Sequence, residues 1–231
     1  LKFFYVYLAI SDKCLKMKIV FLIVLFISVT FRGFSQDPNE ILKNSISYHD
    51  PDEKWNRLDA TLFFEEKRPD GEVRATKVFI NNTRGFFKLN RGDQEIHGME
   101  MDSCFIIKGD VNCDRVAVMR NYYLYLWGLP MKLMDEGTPL ENKVTEENYE
   151  GERAYVLKVS YKKDTWYFYL SKDNYRLLGY KFYQDEAETK GEWIKLSGEK
   201  DVKGMKIPAE RSWYVLPGMK YLGTDVLVDT E

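Results

Sequence analysis

The chain has 231 residues, with 34 Lys and Arg against 36 Asp and Glu, two histidines and three cysteines. A near-neutral, slightly acidic balance without a basic cluster excludes nucleic-acid binding, which rests on neutralising phosphates, and polybasic docking to anionic lipid. So few Cys and His argue against a structural zinc site, and no sequence signature asks for another metal or a cofactor.

The first organised stretch is "MKIVFLIVLFISVTFRGFSQDPNE", from Met17. Lys18 precedes an unbroken apolar run, Ile19 to Ile27, and small or polar residues follow around Gly33 and Ser35. That is the layout of a secretory signal peptide, cleaved after Ser35 to leave Gln36 first. The run is shorter than the roughly 20 apolar residues a membrane-spanning helix needs, so an uncleaved anchor is the lesser alternative. Cys14 lies before the apolar run, where it cannot serve as a lipoprotein cysteine. The expected organisation is an upstream extension over 1–16, a signal peptide over 17–35 and one domain over 36–231. The expected address is the periplasm or the extracellular space. The first 35 residues hold five of the 34 basic residues and one of the 36 acidic ones, leaving a net −6 on residues 36–231.

Asp37-Pro38-Asn39-Glu40 reads as a helix start, with Asp at the N-cap, Pro at N1 and Glu at N3. Ile41, Leu42, Ile46 and Tyr48 supply an apolar stripe, and Pro51 ends the helix near residue 48. The period then drops to two. "ATLFFEEKRPDGEVRATKVFI" reads as strand, Pro-Asp-Gly turn, strand, and "GFFKLNRGDQEIHGME" as a second hairpin whose Arg-Gly-Asp is turn chemistry rather than an adhesion motif. Cys104 and Cys113 flank "FIIKGDVN"; an even, closely spaced pair in an exported chain suggests a disulfide, set across a hairpin at Lys108-Gly109-Asp110.

In "DRVAVMRNYYLYLWGLP", Val116, Met119, Tyr123 and Leu126 recur at spacings of 3, 4 and 3, and Tyr122 and Tyr125 widen the stripe. The spacing predicts a helix over about 114–127, ended by Gly128 and Pro130 and enclosed over most of its circumference. No basic face accompanies it, so it is not a membrane-surface helix. It is either core or the wall of an apolar pocket, with Tyr122, Tyr123, Tyr125, Trp127, Leu129 and Met131 as the candidate ligand-binding residues. Further strands are expected at Ala154–Tyr161, Thr165–Leu170, Arg176–Tyr183, Glu192–Glu199, Lys206–Val215 and Tyr221–Val228. In "YRLLGYKFY" alternation puts Tyr175, Leu177, Gly179, Lys181 and Tyr183 on one face and Leu178, Tyr180 and Phe182 on the other. The fold class is mainly β: an antiparallel curved sheet or half-barrel, an N-terminal helix, and an internal helix on the concave face.

Three blocks, "SISYHDPDEKWN", "RNYYLYLWGLPMKLMDEGT" and "GMKIPAERSWY…LGTDVL", together resemble a family of exported bacterial proteins of unknown function common in bacteroidete-type bacteria. In outline the chain is also similar to the lipoprotein-carrier fold of LolA, LolB and LppX-like proteins. That resemblance implies a half-barrel wrapping a helical plug, a lipid or other apolar small molecule held between them, and no catalysis. It implies no site residue position by position.

An enzyme remains the different-class alternative. His49 with Asp50 could act as a base and its orienting carboxylate in a hydrolase, although a helix-ending "HDP" has a simpler use in satisfying free backbone groups. His97 is expected at a strand surface or core edge. No Gly-x-Ser-x-Gly elbow or phosphate-binding loop is present. The third reading is a structural or interaction domain with a filled core. A monomer is expected, with an envelope protein as a conceivable partner.

Overall fold

A computed structural model describes residues 36–231. The expected extension, the signal peptide and Cys14 lie outside the described residues. Among the described residues two α-helices, α1 (Pro38–His49) and α2 (Cys113–Asn121), accompany twelve strands: β1 (Asp59–Lys67), β2 (Val73–Asn81), β3 (Phe86–Arg91), β4 (Glu95–Glu100), β5 (Ser103–Lys108), β6 (Leu140–Tyr149), β7 (Glu152–Ser160), β8 (Thr165–Ser171), β9 (Leu177–Tyr183), β10 (Gly191–Val202), β11 (Met205–Leu216) and β12 (Lys220–Thr230). All twelve form one curved antiparallel sheet in the order β5-β4-β3-β2-β1-β12-β11-β10-β9-β8-β7-β6. Two meanders therefore run outward from a central β1–β12 pairing. β5 and β6 become the two edges, and the chain between them must cross a face of the sheet. That crossing is the aromatic segment, and it fills the concave face of a half-barrel.

α1 starts as expected: Asp37 Oδ1 accepts the Asn39 N–H at 2.9 Å. Its buried side is Pro38, Ile41, Leu42, Ser45 and His49; Tyr48 is half-buried, with its hydroxyl donated to Glu199 at 2.6 Å. The crossing segment is not one helix. α2 ends at Asn121, a π-helical stretch covers Tyr122–Leu126, and a 3-10 turn covers Met131–Met134. The wider π turn divides the aromatics between two halves of the core. Tyr123 and Trp127 pack with Phe64, Val78 and Phe87 over β1–β3. Leu126, Leu129 and Leu133 pack with Phe168, Leu170, Tyr180 and Ile194 over β8–β10 and with Ile41 and Leu42 of α1. Burying each of these large side chains is worth roughly 1.5–3 kcal/mol. Gly128 is required here, because a Cβ would come within 2.5 Å of the Trp55 ring.

Several elements differ from expectation. β6 was not predicted: in "LENKVTEENY" only Tyr149 is buried, and at this edge of the sheet only Leu140 and Val144 touch the concave core, too few and too irregularly spaced to show alternation. The alternation expected in β9 is broken. Leu170 pairs with Leu177 and Tyr169 with Gly179, so Leu178 is an extra residue; Leu177 joins Tyr180 and Phe182 on the concave side, while Leu178 packs with Tyr149, Val156 and Tyr169 on the convex side. Cys104 and Cys113 are joined, with Cα atoms 5.8 Å apart, but not across a hairpin: Cys113 opens α2, so the bond ties β5 to that helix.

Candidate functional site

The inward positions of the central strands carry charge. On β1 the buried row is Ala60, Leu62, Phe64 and then Glu66. Glu66 faces Asp225 of β12 and Arg74 of β2, and Asp225 faces Arg211 of β11. A lateral belt Arg211–Asp225–Glu66–Arg74 thus crosses four strands of the concave face, and Arg91 of β3 reaches into it.

Every member has partners. Glu66 accepts from Tyr123 Oη at 2.5 Å, Arg91 Nη2 at 3.1 Å and Arg74 Nε at 2.6 Å. Arg91 also donates to Glu95 at 2.8 Å and to Thr76 Oγ1 at 3.1 Å. Burial alone would raise the Glu66 carboxyl, but the charges of Arg91 and Arg74 and the Tyr123 hydrogen bond outweigh it and hold it below the usual range. Asp225 behaves oppositely. Burial pushes it up and the charge of Glu66 adds to that, against the hydrogen bonds it accepts from Tyr122 and, at 3.1 Å, from Trp213 Nε1. Burial likewise raises the Tyr122 and Tyr123 hydroxyls well above their ordinary value, so both act as donors. Arg211 is fully buried; its two terminal nitrogens donate to Pro208 O and Leu126 O, each at 3.0 Å.

A cleft of about 320 Å³ opens over one end of this belt, at the lower end of the roughly 300–1,000 Å³ of small-molecule pockets. One wall is a single face of the crossing segment: Arg115, Val118, Met119 and Tyr122. The other is Lys67 and Arg68 at the end of β1 with Trp213, Leu222 and Asp225; Glu66, Arg74, Arg91 and Tyr123 also line it.

The six candidate residues do not share one space. Tyr122 and Tyr123 line this cleft. Tyr125, bonded to Tyr161 Oη at 2.9 Å, borders a separate open depression with Trp166, and Met131 borders a third opening beside Ile46 and Trp55. Trp127 and Leu129 are fully enclosed. The belt and the rim cations were not read from the sequence, although the spacing 60, 62, 64, 66 on β1 puts Glu66 in the inward register and was the available signal.

His49 is structural. Its Nδ1–H donates to Lys206 O at 2.5 Å and its Nε2 accepts the Leu177 N–H at 3.0 Å, fastening α1 to β11 and β9. Burial lowers its pKa to about 4, so the ring is neutral. Asp50 accepts from the backbone N–H groups of Lys54 and Trp55, at 2.7 and 2.8 Å. Neither ring nitrogen is free for a substrate, and the carboxylate does not orient the imidazole. His97, expected near the surface, is fully buried, with Nε2 at 3.0 Å from Glu95. Among the described residues no cluster of three or more His, Cys, Asp or Glu could hold a metal ion, and no helix is long and apolar enough to cross a membrane.

Two solved structures are similar to the chain, the first closely enough in fold to compare. A LolA superfamily protein from Nitrosomonas europaea matches at 10% identity over 85% of this chain and 93% of its own, with a TM-score of 0.52. A domain from Vibrio parahaemolyticus named for outer membrane lipoprotein sorting matches at 14% identity over 83% and 90%, with a TM-score of 0.48. At these identities the likeness concerns fold alone. No curated protein matches the chain. The profile of a family of unknown function, DUF6503, matches residues 16–230, and the chain belongs to that family, built on a LolA-like half-barrel.

Proposed function

We propose that the chain is an exported, non-catalytic binding protein that holds the apolar part of a lipid or similar molecule between the aromatic segment and the concave sheet. The observation that carries this reading is the cleft at Tyr122 and Tyr123. It lies between that segment and the sheet, and Val118, Met119, Tyr122, Trp213 and Leu222 give it an apolar and aromatic side. The LolA-like fold supports the reading at the level of architecture, and the Cys104–Cys113 bond fits an oxidising compartment. The engagement of both His49 nitrogens and both Asp50 oxygens weighs against the hydrolase alternative.

Residues 36–231, exported and gently purified, should carry an extra mass in native mass spectrometry that organic extraction removes. A clean protein mass with no uptake of fatty acid or phospholipid would overturn the proposal. Full enclosure of Trp127 and Leu129 would then favour an interaction domain with a filled core, with partners sought among envelope proteins.

A further inference from the structure

The charge of the cleft is at odds with that of the domain. Residues 36–231 carry a net −6, yet the cleft is lined by Lys67, Arg68, Arg74, Arg91 and Arg115 against Glu66 and Asp225 alone. The two groups of cations differ. Arg74 and Arg91 are committed to Glu66 and Glu95. Lys67, Arg68 and Arg115 form no side-chain hydrogen bond or ion pair with any described residue; Lys67 follows the inward Glu66 and so directs its side chain to the other face, while Arg68, just past β1, and Arg115, on α2, stand on opposite walls. Glu66 is neutralised by the inner arginines, whereas Asp225 accepts only from the neutral donors Tyr122 and Trp213; five cations against two carboxylates still leave the lining with an excess of positive charge. Like charges held on facing walls of a narrow cleft repel one another and raise the local concentration of counter-ions. Val118, 55% exposed, and the buried Met119 follow Arg115 at i+3 and i+4, on the same helix face, and line the cleft with it.

We propose that this cleft is an anion site for an amphiphile. A carboxylate or phosphate group is gripped by Arg115 on one side and Arg68 on the other, and the attached apolar chain lies along Val118, Met119, Leu222 and Trp213. Arginine suits this use because its planar fork meets either oxyanion with two donors. The inference rests on the amphiphile-binding proposal above and adds the chemistry of the head group. A free anion such as inorganic phosphate would meet the same two arginines, and the experiment separates the two sources.

Binding of decanoate, decyl phosphate, decanol and inorganic phosphate to residues 36–231 is measured by isothermal titration calorimetry in low and high salt. The same is done for Arg115→Glu, Arg68→Glu and Lys163→Glu; the last reverses a cation beside the Tyr125 depression and should change nothing. All three positions are exposed, so folding is preserved, which circular dichroism checks. Support would be binding of both charged amphiphiles, weakened by salt and by about tenfold in Arg115→Glu and Arg68→Glu, with decanol much weaker. Decanol binding as well as decanoate, indifferent to the variants, would overturn the head-group assignment and leave the lipid proposal standing. Inorganic phosphate matching decyl phosphate, and lost in Arg115→Glu, would keep the anion site and overturn the lipid proposal. Binding by no anion, or loss confined to Lys163→Glu, would overturn the site itself.

Discussion

The guanidinium carbon of Arg211 lies 3.5 Å from the centre of the Trp127 ring, with both groups fully buried. One side chain of the sheet thus holds the crossing segment twice, through the face of its tryptophan and through the Leu126 carbonyl. Among the described residues no carboxylate bonds directly to this cation; Asp225, its neighbour in the ladder, accepts from Tyr122 and Trp213 instead. Arg211→Met keeps most of the volume but leaves the carbonyls of Pro208 and Leu126 without these donors, and should cost about 3 kcal/mol. Arg211→Lys keeps the charge yet loses the fork, and should cost about 2 kcal/mol. Urea unfolding measures both; a methionine variant as stable as the parent would show that the contact does not fasten the segment.

His49 makes stability depend on pH in a defined direction. Its folded pKa of about 4 lies below the roughly 6.5 of an unfolded histidine, so folding favours the neutral ring. Its contribution is complete above pH 6.5, falls as the pH drops towards 4, and totals about 3 kcal/mol. His49→Gln should be less stable at pH 7, having lost the two bonds to Lys206 O and Leu177 N–H. The gap between variant and parent should then narrow by pH 4. A gap that stays constant across that range would mean the ring does not titrate as described.

The sequence was most legible where periodicity and burial coincide. The Val116, Met119, Tyr123, Leu126 stripe is buried throughout, and the β1–β2 and β3–β4 hairpins follow their turn residues, although the one expected at Lys108-Gly109-Asp110 does not form. It was least legible where side chains serve something other than an apolar row. β6 exposes six of its ten residues and buries only Tyr149, so no alternation marks it, and the extra residue Leu178 reverses the faces in a strand whose pattern looked regular. The belt was hidden for a related reason. Glu66, Asp225 and Arg211 are polar residues at inward positions, and Glu66 sits far from the other two in sequence; only the β1–β12–β11 pairing, which joins the first and last strands, brings them together.

Glu66 and Arg91 should behave as a coupled pair. Glu66→Leu leaves Arg91 buried with Glu95 as its remaining carboxylate and removes the acceptor of Tyr123, a loss of about 3–5 kcal/mol. Arg91→Leu alone should cost somewhat less, because Arg74 still neutralises Glu66. The double variant should be clearly more stable than the sum of the two losses implies, since neither charge is then stranded. Strict additivity in chemical unfolding would show that the two groups do not share their burial cost.

The Cys104–Cys113 bond closes a loop with a sequence separation of 9, which the chain-entropy relation values at about 2.5 kcal/mol. Its position gives it a second consequence. Cys113 is the first residue of α2, two before Arg115, so the bond fixes the start of the helix whose face forms one wall of the cleft. Replacing both cysteines by alanine should lower stability by about that amount and should also weaken binding of an anionic amphiphile, because Arg115 is then carried on a looser turn. Dithiothreitol should reproduce both effects in the parent protein and neither in the double variant. If reduction lowered the unfolding midpoint but left ligand affinity unchanged, the bond would stabilise the fold without positioning the cleft.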